Sequence, residues 1–217
     1  LVLADHVNRA TPKTQSALLQ AMEEDAITVS TESFPLPRPY LLIATQNPLE
    51  MEGTYPLPEA QVDRFLFKVT LSPPTAGQME AILERTVGSE EIPGRKVVDG
   101  PRVLAMGRLV RQVPMSAEVR RQAVAVVAAS QPQAEHAPPL VRQFVRYGSG
   151  PRGAQALVLA AKVHALMTGR KEVAHEDLQA VALPALRHRL ILNYEGVAED
   201  VSPDAILAQI LQTLAPR

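Results

Sequence analysis

Leu1-Val2-Leu3-Ala4-Asp5-His6-Val7-Asn8-Arg9 runs four apolar residues straight into an acid. A continuous apolar run of this kind predicts a strand buried on both faces, as in a parallel sheet covered by helices. Ligands of open α/β sheets bind outside the carboxyl ends of the strands, and Asp5 stands at that end. A carboxylate is a hard oxygen donor, suited to Mg²⁺ or to a water on Mg²⁺. The same residues also fit a strand that ends in a solvated Asp, so the choice rests on residues further along the chain.

Downstream, Tyr40-Leu41-Leu42-Ile43-Ala44-Thr45 is a second buried-strand run, ending in Gln46-Asn47-Pro48. An amide at a strand tip offers donors and an acceptor, enough to orient a water or bond a phosphate oxygen. Asn-Pro also starts turns, and both readings stand. Between the two runs, Thr11-Pro12 reads as an N-cap followed by proline at the first helical position. The helix they open runs to about Glu24, with Ala17, Leu18, Ala21 and Met22 on one face. Residues 26–37 alternate weakly and fit a short hairpin. Residues 49–58 read as a loop closed by Pro56 and Pro58, followed by a short helix over 59–64. Phe65 to Leu71 mostly alternates and predicts a strand near a sheet edge.

Ser72-Pro73-Pro74 is the clearest boundary, and beyond it the patterns are helical. Helices are predicted over 76–87 and 101–113, after Ser116, from Gly150-Pro151-Arg152 to Gly169, over 175–186, and from Ser202-Pro203 onward. The expected organisation is a strand-containing part over 1–72 and an all-helical part over 73–217.

Composition narrows the function classes. Hydrophobic residues make up 46% of the 217, which excludes a disordered chain. A formal net charge of −1 provides no global basic field for nucleic acid. The absence of cysteine removes disulfides and thiolate metal sites and is compatible with the cytosol. No apolar stretch approaches membrane-spanning length, and no signal peptide is visible. Residue 1 is Leu and lies inside an apparent strand, so the chain reads as the latter part of something longer.

Three stretches together resemble the MoxR family of AAA+ ATPases: residues 8–19 (Asn-Arg-Ala-Thr-Pro-Lys-Thr-Gln-Ser-Ala-Leu-Leu), 43–48 (Ile-Ala-Thr-Gln-Asn-Pro) and 53–65 (Gly-Thr-Tyr-Pro-Leu-Pro-Glu-Ala-Gln-Val-Asp-Arg-Phe). Gly150-Pro151-Arg152 and residues 186–192 (Leu-Arg-His-Arg-Leu-Ile-Leu) extend the likeness to the helical part. The resemblance implies part of an AAA+ P-loop α/β subdomain over 1–72, with a parallel sheet, and a helical lid bundle over 73–217. It further implies a cytoplasmic hexameric ring with ATP and Mg²⁺ between subunits, a partner carrying a von Willebrand factor A domain, and a client complex that is remodelled or matured.

Residue by residue, Asp5 matches the Walker B acid, which holds Mg²⁺ through a water. Asn47 matches sensor 1, Arg64 the arginine finger and Arg152 sensor 2. Arg64 also fits a surface ion pair with Asp63 or Glu59. Arg152 has independent support, because a cation beside the free N–H groups of a helix N-terminus makes an anion site. Gly150 and Gly153 depart from the family's usual residues in ways that look benign. His6 stands where the family normally has the Glu that polarises the attacking water. A neutral imidazole can accept a proton, yet it lacks the charge and reach of Glu. General bases contribute roughly 10²–10⁴-fold, so slow hydrolysis with intact binding is expected. This leaves the alternative of a degenerate subunit that binds nucleotide or partners with little turnover. No G-x-x-x-x-G-K-[ST] occurs in the sequence, so the phosphate cradle is expected upstream, and this stretch by itself is expected to be inactive. The geometric expectation is an acid and an amide on adjacent strand tips, with two arginines converging on the terminal phosphate of a nucleotide held between subunits.

Overall fold

The computed structural model describes residues 1–47, 53–87 and 94–215. The first part of the loop expected over 49–58 lies outside the described residues. The chain begins with β1 (Val2–Ala4), α1 (Pro12–Glu24), the hairpin β2 (Ala26–Val29) and β3 (Glu32–Pro35), and then β4 (Leu42–Ala44). A short α2 (Glu59–Val62) follows, and then α3 (Ala76–Thr86), α4 (Gly100–Gln112), α5 (Ala117–Ala129) and α6 (Pro139–Phe144). The remainder is β5 (Val145–Tyr147), α7 (Pro151–Met167), α8 (His175–Leu186), β6 (Ile191–Leu192), α9 (Tyr194–Ala198) and α10 (Pro203–Thr213).

The helix starts form where the capping residues put them. Thr11 accepts from Thr14 N–H at the head of α1, with Pro12 in the first turn. Ser116 does the same for α5 through Val119 N–H at 3.2 Å. Thr75 and Gln78 close a reciprocal capping box on α3. β1 and β4 pair in parallel, Val2 opposite Leu42 and Ala4 opposite Ala44. A parallel pair needs a crossover that brings the chain back, and α1 with its hairpin is that crossover. The two buried-strand runs are therefore neighbours.

Three expectations are corrected. The β1–β4 pair is open rather than covered: Leu3 is 62% and Ile43 is 47% exposed. A two-stranded sheet has no interior strand, and the described residues leave these apolar side chains in solvent. Residues 65–71 form no strand, because their backbone groups are engaged by the helical part instead of by a ladder. Lys68 N–H donates to Pro184 O at 2.9 Å, and the Arg189 side chain takes the carbonyls of Phe65 and Leu66. The helical part also contains the small antiparallel pair β5–β6, Val145 opposite Leu192, too short to stand out in sequence.

One hydrophobic core runs from Val113 to Ile210. Val119, Ala123 and Val126 of α5, Leu157 and Ala161 of α7, Leu178 and Leu186 of α8 and Ile206 of α10 meet there. Among the described residues before position 73, only Val7 and Ala21 are buried apolar side chains.

Candidate functional site

The parallel register puts Asp5 one residue past β1 and Thr45 one residue past β4, at the same end of adjacent strands. The tips are laced together. Thr45 N–H donates to Ala4 O at 3.0 Å, Val7 N–H to Thr45 O at 3.0 Å and His6 N–H to Thr45 Oγ1 at 2.9 Å. The Thr45 hydroxyl in turn donates to Asp5 Oδ1 at 2.5 Å. This bond takes one acceptor site, and the exposed carboxylate keeps others for water or a hydrated cation. Asn47, half-buried, follows two residues later. Buried Gln15 ties this end of the sheet to the loop beyond, donating to Val7 O at 3.2 Å and Tyr55 O at 2.9 Å.

His6 sits at φ 51 and ψ 48, a left-handed conformation uncommon for a residue with a side chain. Its Nε2 lies 3.7 Å from Asp5 Oδ2, so the ring turns toward the acid.

The two arginines gather elsewhere. Arg64, just past α2, makes an ion pair with Glu23 near the end of α1. Arg152, in the first turn of α7, approaches the same Glu23 oxygen at 3.4 Å and Asp63 Oδ2 at 3.6 Å. Between Pro12 and Glu23, α1 rises about 16 Å at the usual 1.5 Å per residue. Glu23 thus stands near the end of α1 remote from Thr11. Two groupings result: Asp5 with Thr45 at the strand tips, and Arg64 with Arg152 through their shared Glu23.

Asp63 is held from its far side by Arg189, whose Nε donates to Asp63 Oδ1 at 3.0 Å. The Arg189 side chain is only 3% exposed. Burial lowers its pKa from the ordinary value, and the Asp63 charge opposes that shift. Arg64, Arg152 and Arg189 set three positive charges against the two of Glu23 and Asp63, so the cluster retains an excess positive charge suited to an anion.

Sequence reasoning named Glu59 or Asp63 as the alternative partner of Arg64; the structure supplies Glu23. It missed Thr45, Glu23 and Arg189. Thr45 had a visible signal, a hydroxyl two residues before Asn47 at a strand tip. Glu23 reads in sequence as one more solvated acid on a helix. Among the described residues, no group of three or more His, Asp or Glu side chains forms a metal cage.

Comparisons with known proteins agree with this architecture. The family model "ATPase family associated with various cellular activities (AAA)" matches residues 1–67, and an "AAA lid domain" model matches 139–210. Relatives include "Chaperone MoxR1" of Mycobacterium tuberculosis, 37% identical over 220 residues, covering 99% of this chain and 56% of that protein. The "Uncharacterized protein YeaC" of Bacillus subtilis is 38% identical over 215 residues, covering 99% of this chain and 64% of its own. The crystal structure of a candidate ATPase from Cytophaga hutchinsonii superposes with a TM-score of 0.90 at 38% identity, over 97% of this chain and 64% of that one. The chain spans between about half and two thirds of the length of the relatives it matches.

Proposed function

The chain belongs to the MoxR family of AAA+ ATPases, and from that premise we propose that it hydrolyses ATP between subunits of a ring to remodel a client. The observation that carries this reading is the Thr45–Asp5 hydrogen bond, which orients an exposed acid at the tip of β1 beside the tip that leads to Asn47. ATP with Mg²⁺, when bound, supplies the transferable phosphoryl group and neutralises its charge. Asp5 would hold the metal through a water, and the Asn47 amide would orient the attacking water beside it. Arg64 and Arg152, which share Glu23, reach together for the nucleotide of a neighbouring subunit. Planar guanidinium groups meet the charge that spreads over the equatorial oxygens.

This reading includes a hexamer, a nucleotide part over 1–72 with a lid over 73–217, a cytoplasmic setting, a von Willebrand factor A domain partner and a client protein complex. No nucleic acid is invoked. No described helix is long and apolar enough to cross a membrane.

Subunit mixing tests it, with protein expressed from its complete reading frame. Asp5→Asn and Arg64→Ala are each expected to lose roughly 10³-fold or more in kcat, the scale of an arginine finger. Mixed together they are expected to regain activity, since some interfaces then carry Asp5 from one subunit and Arg64 from the other. No recovery on mixing would place both groups in one chain and end the shared-site reading.

A second reading has its own observation. His6 occupies the position of the polarising Glu, in a left-handed conformation and turned toward Asp5. A base so placed gives slow turnover, and the chain then works chiefly by binding nucleotide. His6→Glu is expected to raise kcat about 10²-fold or more if this holds. An unchanged kcat removes it.

A further inference from the structure

Arg189 follows α8 in a single 3₁₀ turn (Arg187–Arg189) and spends its donors on one short segment. Besides Asp63 Oδ1, its Nη2 donates to Asp63 O and Phe65 O, each at 2.8 Å. Its Nη1 donates to Leu66 O at 3.4 Å and to Ala185 O on its own helix. Arg64 is the residue between the two carbonyls held by Nη2. The neighbours of Arg189 extend the hold. His188 Nε2 lies 2.9 Å from Phe65 O, and Arg187 Nη1 donates to Thr70 Oγ1 at 2.7 Å. Asp204 fixes Arg187 from behind, accepting from its Nε at 2.9 Å.

One buried guanidinium therefore fixes the backbone on both sides of Arg64 and, through Asp63, the carboxylate that faces Arg152. The packing around it is close: a Cβ added to Gly153 would lie 3.0 Å from Arg189 Cδ. Gly153 directly follows Arg152, so the aliphatic stem of Arg189 packs beside the turn that carries the second arginine.

Resting on the reading of Arg64 as a finger toward a neighbour's phosphate, we infer that Arg189 is a positioning residue that locks the Asp63–Phe65 backbone to the lid and so sets the reach of Arg64. A buried ion pair is a poor source of stability compared with apolar packing, whereas a planar five-donor fork is well suited to fixing direction. Any displacement of α8 is transmitted to the finger through bonds of fixed geometry. Lysine keeps the charge but loses the fork, so it separates aim from electrostatics.

The test is steady-state ATP turnover of the protein from its complete reading frame, comparing Arg64→Ala, Arg189→Lys and the double variant. Misplacing a reacting group by about 1 Å costs on the order of 10²-fold. Arg189→Lys is expected to lower kcat about 10- to 100-fold with KM for ATP within about twofold of wild type. The double variant is expected to be no slower than Arg64→Ala, because a finger that is absent cannot be misaimed. Full kcat in Arg189→Lys, or a loss that multiplies with that of Arg64→Ala, overturns the inference. If Arg189→Lys does not melt cooperatively, Asp63→Asn takes its place with the same expectations, since it keeps every backbone acceptor. An Arg64→Ala protein as fast as wild type overturns the finger reading and this inference with it. An inactive Arg64→Ala beside a fully active Arg189→Lys overturns the positioning role alone.

Discussion

His188 lies beside Arg189 with its Nδ1 buried and without a hydrogen-bond partner. Burial, and then the Arg189 charge, hold its pKa at about 4, down from 6.5; Lys68 acts the same way, and the Phe65 carbonyl and Asp63 pull against it. As pH falls through 6.5 the unfolded chain takes up a proton that the folded ring refuses until about 4. The contribution to stability is therefore complete above that window and is lost progressively as pH falls through it. His188→Gln is expected to flatten the decline of the urea midpoint between pH 6.5 and 4 relative to wild type. An identical slope in both proteins would assign the decline to the carboxylates. At the same scale, glycine suits position 153, because Ser149 Oγ and Arg189 Cδ occupy the space that a Cβ would need.

The start of α8 shows how one acid organises an element. Asp177 is fully buried, and its Oδ2 accepts from Ala174 N–H at 2.8 Å, closing the first turn. Its Oδ1 meets His164 Nδ1 at 2.6 Å and the Arg170 guanidinium. These bonds tie α8 to α7 and to the turn between them. Asp177→Ala removes a cap, worth about 1 kcal/mol, and deletes the buried acceptor of His164 and Arg170, although Arg170 keeps its ion pair with Glu176. The expected cost is about 3 kcal/mol, read from urea unfolding, and a cost below about 1 kcal/mol would show that the cluster is dispensable. Elements of this kind were legible where the signal is local. Thr11-Pro12, Ser116 and Ser202-Pro203 announce α1, α5 and α10 through backbone geometry that each segment carries itself. Residues 65–71 were misread because alternation says only that a segment suits a strand, and the partner decides. The candidate site divides in the same way. Asp5 and Asn47 are visible because apolar runs point at them, and Arg152 because Gly-Pro precedes it. Glu23 and Arg189 are not, since their roles come from contacts up to 129 residues away along the chain.

At the scale of the whole molecule, apolar burial and candidate chemistry are separated. The core is confined to Val113–Ile210, whereas β1 and β4 expose Leu3 and Ile43. The strand-bearing part is joined to the helical part largely by polar contacts: Arg152 with Glu23 and Asp63, Arg187 with Thr70, and Arg189 with Asp63 and its neighbours. The half-exposed Arg152 pairs contribute little in water and a buried ion pair such as Arg189–Asp63 is a poor source of stability, so this junction lends the sheet little of the stability of the core. Leu157, fully buried at the centre of α7, is expected to cost about 2–5 kcal/mol on replacement by alanine. Amide exchange should follow the same division, with the strongest protection in α7 and α8 and faster opening in β1 and β4. Uniform protection across the chain would mean that the Arg187–Arg189 clasp fuses the two parts into one cooperative unit. A lid so fused would aim Arg64 rigidly, whereas a lid that opens separately can withdraw it, which is why the exchange pattern bears on turnover as well as on stability.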